Sequence, residues 1–218
     1  MTEAAAPVWS AGPSVSDGLS DSTQIWLIRH GETEWSKSGQ HTGRTDLPLL
    51  PEGEGQASAL RGLLADLNPV LVLASPRQRA QRTAELAGLR VDAIDENLCE
   101  WDYGDYEGLT STEIRREVPD WTIWTHGVRG GESVDDVGVR ADRVIARIIP
   151  YLDEGPVVLV AHGHISRIIG ARWIGLPPSG GGNLLLGTAA PSVLGSQYGL
   201  SALQRWNMPN PYVAGGGA

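Results

Sequence analysis

Three short apolar runs constrain this chain more than any other feature: Ile25 to Ile28, Val70 to Leu73 and Val157 to Val160. Each is continuous rather than alternating, as a strand buried on both faces must be. Helical periods follow them. Pro51 to Leu67 carries Ala57, Leu60, Leu63, Leu64 and Leu67 on one stripe, and Pro76 to Ala87 reads as a second helix. A third is marked by Val134, Val137, Ala141, Val144, Ile145, Ile148 and Leu152. Strands alternating with helices predict an α/β fold with a mostly parallel central sheet covered by helices.

In such a sheet, ligands bind beyond the carboxyl ends of the strands. The first run ends in Arg29-His30-Gly31, and the second in Ala74-Ser75-Pro76 followed by Arg77, Arg79 and Arg82. The third ends in Ala161-His162-Gly163-His164. Cation donors and helix N-termini thus converge on one rim, the footprint of an oxyanion or phosphate site. A neutral imidazole beside a glycine that allows close backbone approach can attack phosphorus, which makes His30 the candidate nucleophile. The charge of a transferring phosphoryl group is spread over its equatorial oxygens, and Arg29, Arg79 and His162 fit the task of holding it. One carboxyl group can protonate the leaving group and later deprotonate water. Leu98 to Gly108 offers Glu100, Asp102, Asp105 and Glu107, and spacing does not choose among them. Arg77 and Arg82 read as solvated helix charges, and Glu32, Lys37 and His41 as structural or rim residues. His162 and His164 alternate as metal ligands can, but no third ligand cluster accompanies them in the sequence.

Composition narrows the function classes. A formal charge of −9 and a pI near 5.0 oppose a nucleic-acid surface, which needs clustered Lys and Arg. No apolar run approaches the ~18–20 residues of a membrane span. The lone cysteine, Cys99, has no intramolecular disulfide partner, and no signal-peptide pattern opens the chain, so the expected location is cytoplasmic. Residues 1–23 are rich in Ala, Ser, Gly and Pro without periodicity and read as a disordered arm. The expected domain spans 24–210, with a flexible tail at 211–218.

Four motifs carry a resemblance. Arg29-His30-Gly31-Glu32-Thr33, Ser75 to Ala80 with Thr83-Ala84, Glu100 to Gly108, and Val160-Ala161-His162-Gly163 together resemble the histidine phosphatase superfamily, the phosphoglycerate-mutase-like group. The resemblance implies a three-layer α/β/α sandwich and a phosphatase that needs no metal or other cofactor. It also implies that His30 is phosphorylated, that Arg29, Arg79 and His162 hold the phosphoryl group, and that Glu100 is the proton donor. The chain departs from the mutases where Ser36 stands for an asparagine, Ser111 for a lysine, and Thr125-His126 for an arginine pair. Trp35 to Gln40, Thr42-Gly43, the Glu100 segment and His162-Gly163-His164 with Arg167 look instead like the sedoheptulose-1,7-bisphosphatase branch and related small acid phosphatases. A phosphorylated small molecule, a sugar phosphate or bisphosphate, is the implied substrate. Ser36, Thr42, Gly43, Tyr103, Gly163, His164 and Arg167 are expected to bind it. Trp35 is a further candidate for substrate contact. A phosphoglycerate mutase and a catalytically silent member of the fold are the alternatives, and a homodimer is admitted.

Overall fold

A computed structural model describes residues 19–212. Strand β1 (Gln24–Arg29) is followed by helices α1 (Glu34–Ser38) and α2 (Pro51–Leu64). Strand β2 (Leu71–Ala74) leads through α3 (Gln78–Leu86) to β3 (Ala93–Ile94). Helices α4 (Ser111–Glu117), α5 (Ile123–His126) and α6 (Val134–Ile148) precede β4 (Val157–Ala161). Helix α7 (Gly163–Trp173) and the hairpin β5 (Pro191–Gln197) to β6 (Leu200–Arg205) complete the fold.

Side chains of each central strand divide between two cores, because successive residues point to opposite faces. Ile25, Leu27, Leu71, Leu73, Val157 and Leu159 share one core with Val144, Ile145 and Ile148 of α6 and Ile165, Ile168 and Ile169 of α7. Trp26, Ile28, Val72, Ala74, Val158 and Val160 share the other with Leu60 and Leu64 of α2 and Ala80 and Ala84 of α3. The sheet is therefore sandwiched between two helix layers, as expected. Its order is β3-β2-β4-β1-β5-β6, parallel from β3 to β1, with β5 and β6 antiparallel.

One placement builds the site. Strand β4 lies between β1 and β2, with Arg29 opposite Ala161 and Ala74 opposite Val160. The pairing continues one residue further: His30 N donates to Ala161 O and Ser75 N to Val160 O, both at 3.0 Å. His30, Ser75 and His162, far apart in sequence, thus emerge side by side.

Several boundaries differ from expectation. Helix α2 stops at Leu64 rather than Leu67, and Leu63 is 42% exposed, off the buried stripe. Arg77 is still extended (ψ 134°), so α3 begins at Gln78 rather than Pro76. The arm does not reach residue 23. Leu19 packs on the core, Ser196 Oγ donates to Ser20 O, and Thr23 is fully buried. At the other end Tyr212 N donates to Asn210 Oδ1, and Asn210 itself donates to Gln56 O and Ala189 O. The rest of the expected arm and tail, 1–18 and 213–218, lies outside the described residues. No helix among the described residues is long and apolar enough to cross a membrane.

Candidate active site

The turn after β1 leaves no room for a side chain at Gly31. A Cβ there would run into the carbonyl oxygen of Gly53 in α2, and one on Gly53 would run into the backbone of Glu32. Gly31 N donates to Thr83 Oγ1 at 3.0 Å, and Thr83 Oγ1 donates to Arg79 O at 2.7 Å, which ties the turn to α3. Held this way, His30 is 4% exposed. Its Nδ1 lies 2.7 Å from Gly31 O, an atom that can only accept, so Nδ1 carries the proton and Nε2 keeps a free lone pair. Burial, reinforced by the Arg29 and Arg79 charges, holds the imidazole well below its usual 6.5, against the opposing pull of the Gly31 carbonyl. The His30 ring is therefore neutral at ordinary pH.

Arg29 and His30 line a cavity of about 380 Å³. Arg29 Nη1 donates to Leu186 O at 2.6 Å, whereas its Nε is buried with no partner among the described residues. A buried N–H of this kind is costly unless a ligand takes it.

Glu100 faces the same cavity, and it alone of the four candidate carboxylates does so. Its Oε1 accepts from Trp101 N and Ile165 N, and its Oε2 from His164 N, all at 3.0 Å. The last two donors belong to the first turn of α7, where backbone N–H groups have no partner within the helix. The other three carboxylates are engaged elsewhere. Asp102 pairs with Arg44 at 2.6 Å and Asp105 with Arg129 at 2.7 Å. Glu107 accepts from Gly43 N and Thr45 N at 2.9–3.0 Å, pinning the loop before α2.

Arg79 and His162 are not among the residues that line the cavity. Arg79 is fully buried and donates to Thr42 O, Gly43 O and Thr45 O of the loop that Glu107 pins, at 2.9–3.4 Å. His162 is also fully buried, edge-on to His30 with ring centroids 5.2 Å apart. Its two nitrogens face Arg79 Nε at 3.1 Å and Ser75 Oγ at 2.7 Å. Because Arg79 can only donate, His162 Nδ1 is unprotonated. Burial and the Arg79 charge hold its pKa well below 6.5. The expectation that His162 holds a phosphoryl group directly therefore meets a neutral ring with both nitrogens already engaged.

The opposite wall is aromatic. Tyr103 Oη lies 2.7 Å from His164 Nδ1. Burial raises the phenol well above its usual range and lowers the imidazole well below, so the neutral phenol donates to a neutral ring. With His162 held by Arg79 and Ser75, this bond also leaves the two histidines poorly disposed to share a metal.

A family model described as the histidine phosphatase superfamily (branch 1) matches residues 25–209. The chain belongs to that superfamily. An acid phosphatase of Mycobacterium tuberculosis is 42% identical to it over 197 residues, covering 88% of this chain and 97% of that one. A sedoheptulose 1,7-bisphosphatase of Saccharomyces cerevisiae is 41% identical over 183 residues, covering 69% and 67%. The solved structure of the Mycobacterium tuberculosis open reading frame Rv3214 superposes with a TM-score of 0.83 at 41% identity, over 86% of this chain and 98% of that one. This histidine phosphatase is an enzyme, a phosphoric monoester hydrolase.

Of the residues expected to bind substrate, Ser36, Thr42, Tyr103, Gly163, His164 and Arg167 line the cavity of the histidine phosphatase. Gly43 does not: its N–H is held by Glu107 and its carbonyl by Arg79. Trp35 packs against Gly108, away from the cavity wall. Ser36 Oγ is engaged with Thr33, capping α1. Of the residues read as bland, Arg82 pairs with Glu54 and Glu85 as a surface charge should. Arg77 differs, since its Nε is buried without a partner among the described residues. His41 belongs to the cavity wall: it is 9% exposed, and its ring packs on those of Tyr103 and Trp121. Arg115 also lines the cavity. It stands in Thr112-Glu113-Ile114-Arg115-Arg116-Glu117, a run that reads in sequence as an ordinary charged helix face.

Proposed function

We propose that the chain hydrolyses a small phosphorylated metabolite, a sugar phosphate or bisphosphate, through a phosphohistidine at His30. The observation that carries this reading is the His30 ring: buried, neutral, proton on Nδ1, with a free Nε2 in a cavity shared with Arg29 and Glu100. Nε2 attacks phosphorus as the P–O bond to the leaving group breaks, and a protonated Glu100 passes its proton to the departing oxygen. Water then attacks the phosphohistidine, Glu100 takes its proton, and the N–P bond breaks to restore His30. Arg29 Nε supplies a pre-placed donor to the phosphoryl oxygens. Arg79 and His162 act from behind: the Arg79 charge adds to burial and the Arg29 charge in keeping His30 neutral, and His162 accepts from the Arg79 guanidinium.

The phosphatase relatives and the lost mutase residues both support hydrolysis rather than isomerisation. Phosphorylated metabolites do not cross membranes unaided, so this reading places the enzyme in the cytoplasm where they are made. A panel of sugar phosphates and bisphosphates assayed by phosphate release tests it. Interconversion of phosphoglycerates without phosphate release would replace the reading with a mutase.

A further inference from the structure

The cavity holds more positive charge than one phosphoryl group needs. Besides Arg29, it is lined by Arg115 of α4 and Arg167 of α7. Neither has a carboxylate within ion-pair distance among the described residues, whereas Arg82, Arg129, Arg140, Arg147 and Arg172 all do. With Arg29, three guanidinium groups on this cavity lack a carboxylate in ion-pair distance among the described residues, and Glu100 is the one acidic residue that lines it.

Both are oriented by the backbone rather than by acids. Arg115 Nε donates to Trp121 O at 2.8 Å, and no acceptor among the described residues takes its Nη nitrogens. Arg167 donates through Nε to Gly181 O and through Nη2 to Gly182 O, both at 2.9 Å, leaving Nη1 free. Its Cζ sits 4.7 Å from the centroid of the Trp124 ring. Trp121, two residues before the short helix α5, and Trp124, within it, hold the two arginines, and both line the cavity. A carbonyl neutralises no charge, so each guanidinium keeps its full charge in a fixed orientation, as recognition of an oxyanion requires.

We propose that Arg115 and Arg167 form a second anion subsite, so that the preferred substrate carries a second phosphate group besides the one transferred to His30. The inference rests on the phosphatase reading above and adds the substrate's second charge. It also accounts for a doubly charged substrate in a chain with Ser36 and Ser111 at the mutases' polar and cationic positions: the charge comes from Arg115, one turn beyond Ser111 on α4, and from Arg167 of α7.

The test uses the full chain with p-nitrophenyl phosphate as reporter. Alkylphosphonates, ω-carboxyalkylphosphonates and α,ω-alkylbisphosphonates of graded length serve as competitive inhibitors that need no turnover. The bisphosphonate of best length should bind about tenfold or more tighter than the matching monophosphonate, the order expected of charge-assisted hydrogen bonds. In Arg115→Gln that ratio, measured within the variant, should collapse toward one, and in Arg115→Lys it should be intermediate. No bisphosphonate advantage at any length, a carboxylate arm that matches the bisphosphonate, or a ratio untouched by Arg115→Gln would overturn the second-phosphate subsite. Absence of p-nitrophenyl phosphate hydrolysis in the wild type would instead overturn the phosphatase reading.

Discussion

Arg79 donates from Nε to Nδ1 of His162 at 3.1 Å, which leaves the other ring nitrogen of His162 to donate to Ser75 Oγ at 2.7 Å. The residue just after β2, one from α3 and the residue just after β4 are thereby locked in a single tautomeric arrangement beside His30. Ser75→Ala strands a fully buried N–H at a cost of about 1–3 kcal/mol. The expected outcome is a Tm lower by roughly 2–4 °C per kcal/mol, with a fall in kcat. An unchanged Tm and kcat would show that the Ser75 hydroxyl does not hold His162.

His30→Ala removes the proposed nucleophile, and turnover should be abolished. Brief incubation of the wild type with labelled substrate should give a phosphoprotein that is labile to acid and stable to alkali. His30→Ala should give none. Substantial residual hydrolysis in that variant would mean that water attacks phosphorus directly.

Glu100→Gln keeps the shape of the side chain and removes its exchangeable proton. General acid assistance is typically worth ~10²–10⁴-fold, so phosphoenzyme formation from an alkyl phosphate should slow by that order more than from p-nitrophenyl phosphate. Pre-steady-state measurement isolates this step from dephosphorylation, in which the same carboxylate acts as base. Equal slowing of both substrates would remove Glu100 from the acid role.

The histidines set opposite pH limits on activity and stability. His30, His162 and His164 are held well below 6.5 by burial, and His41 is lowered as well. Protonation of His30 would destroy the nucleophile, so the acid limb of kcat/KM should lie well below 6.5. Stability runs the other way. Below 6.5 the unfolded chain binds protons that the native rings refuse, so each such histidine costs up to about 1.4 kcal/mol per pH unit as pH falls. Melting curves from about pH 7 down to about pH 5 should show a falling Tm while kcat/KM persists. An acid limb at or above 6.5, or a flat Tm, would contradict the buried neutral rings.

Much of this was legible in the sequence because it is local. A continuous apolar run such as Val157 to Val160 must be buried on both faces, and a strand buried so must hand its terminal residues to the ligand edge. That reasoning places Arg29, His30 and Gly163 without any knowledge of neighbours. The β5–β6 hairpin escaped it because Pro191 to Gln197 is broken by Ser192, Gly195 and Ser196, and β6 is an edge strand with Leu200 65% exposed. Spacing leaves Glu100, Asp102, Asp105 and Glu107 equivalent, and the hydrogen bonds that set Glu100 on the cavity wall come from the first turn of α7, some sixty residues away in sequence. The absence of Arg79 and His162 from the cavity wall, and the presence of Arg115 on it, depend on which surfaces the folded chain brings together. Sequence alone determined the three central strands, the main helix stripes and the residue types at the strand ends, since these follow from periodicity and composition. Only the tertiary structure decided which polar groups have partners and which are left free for a ligand, because hydrogen bonding and desolvation are set by groups distant along the chain.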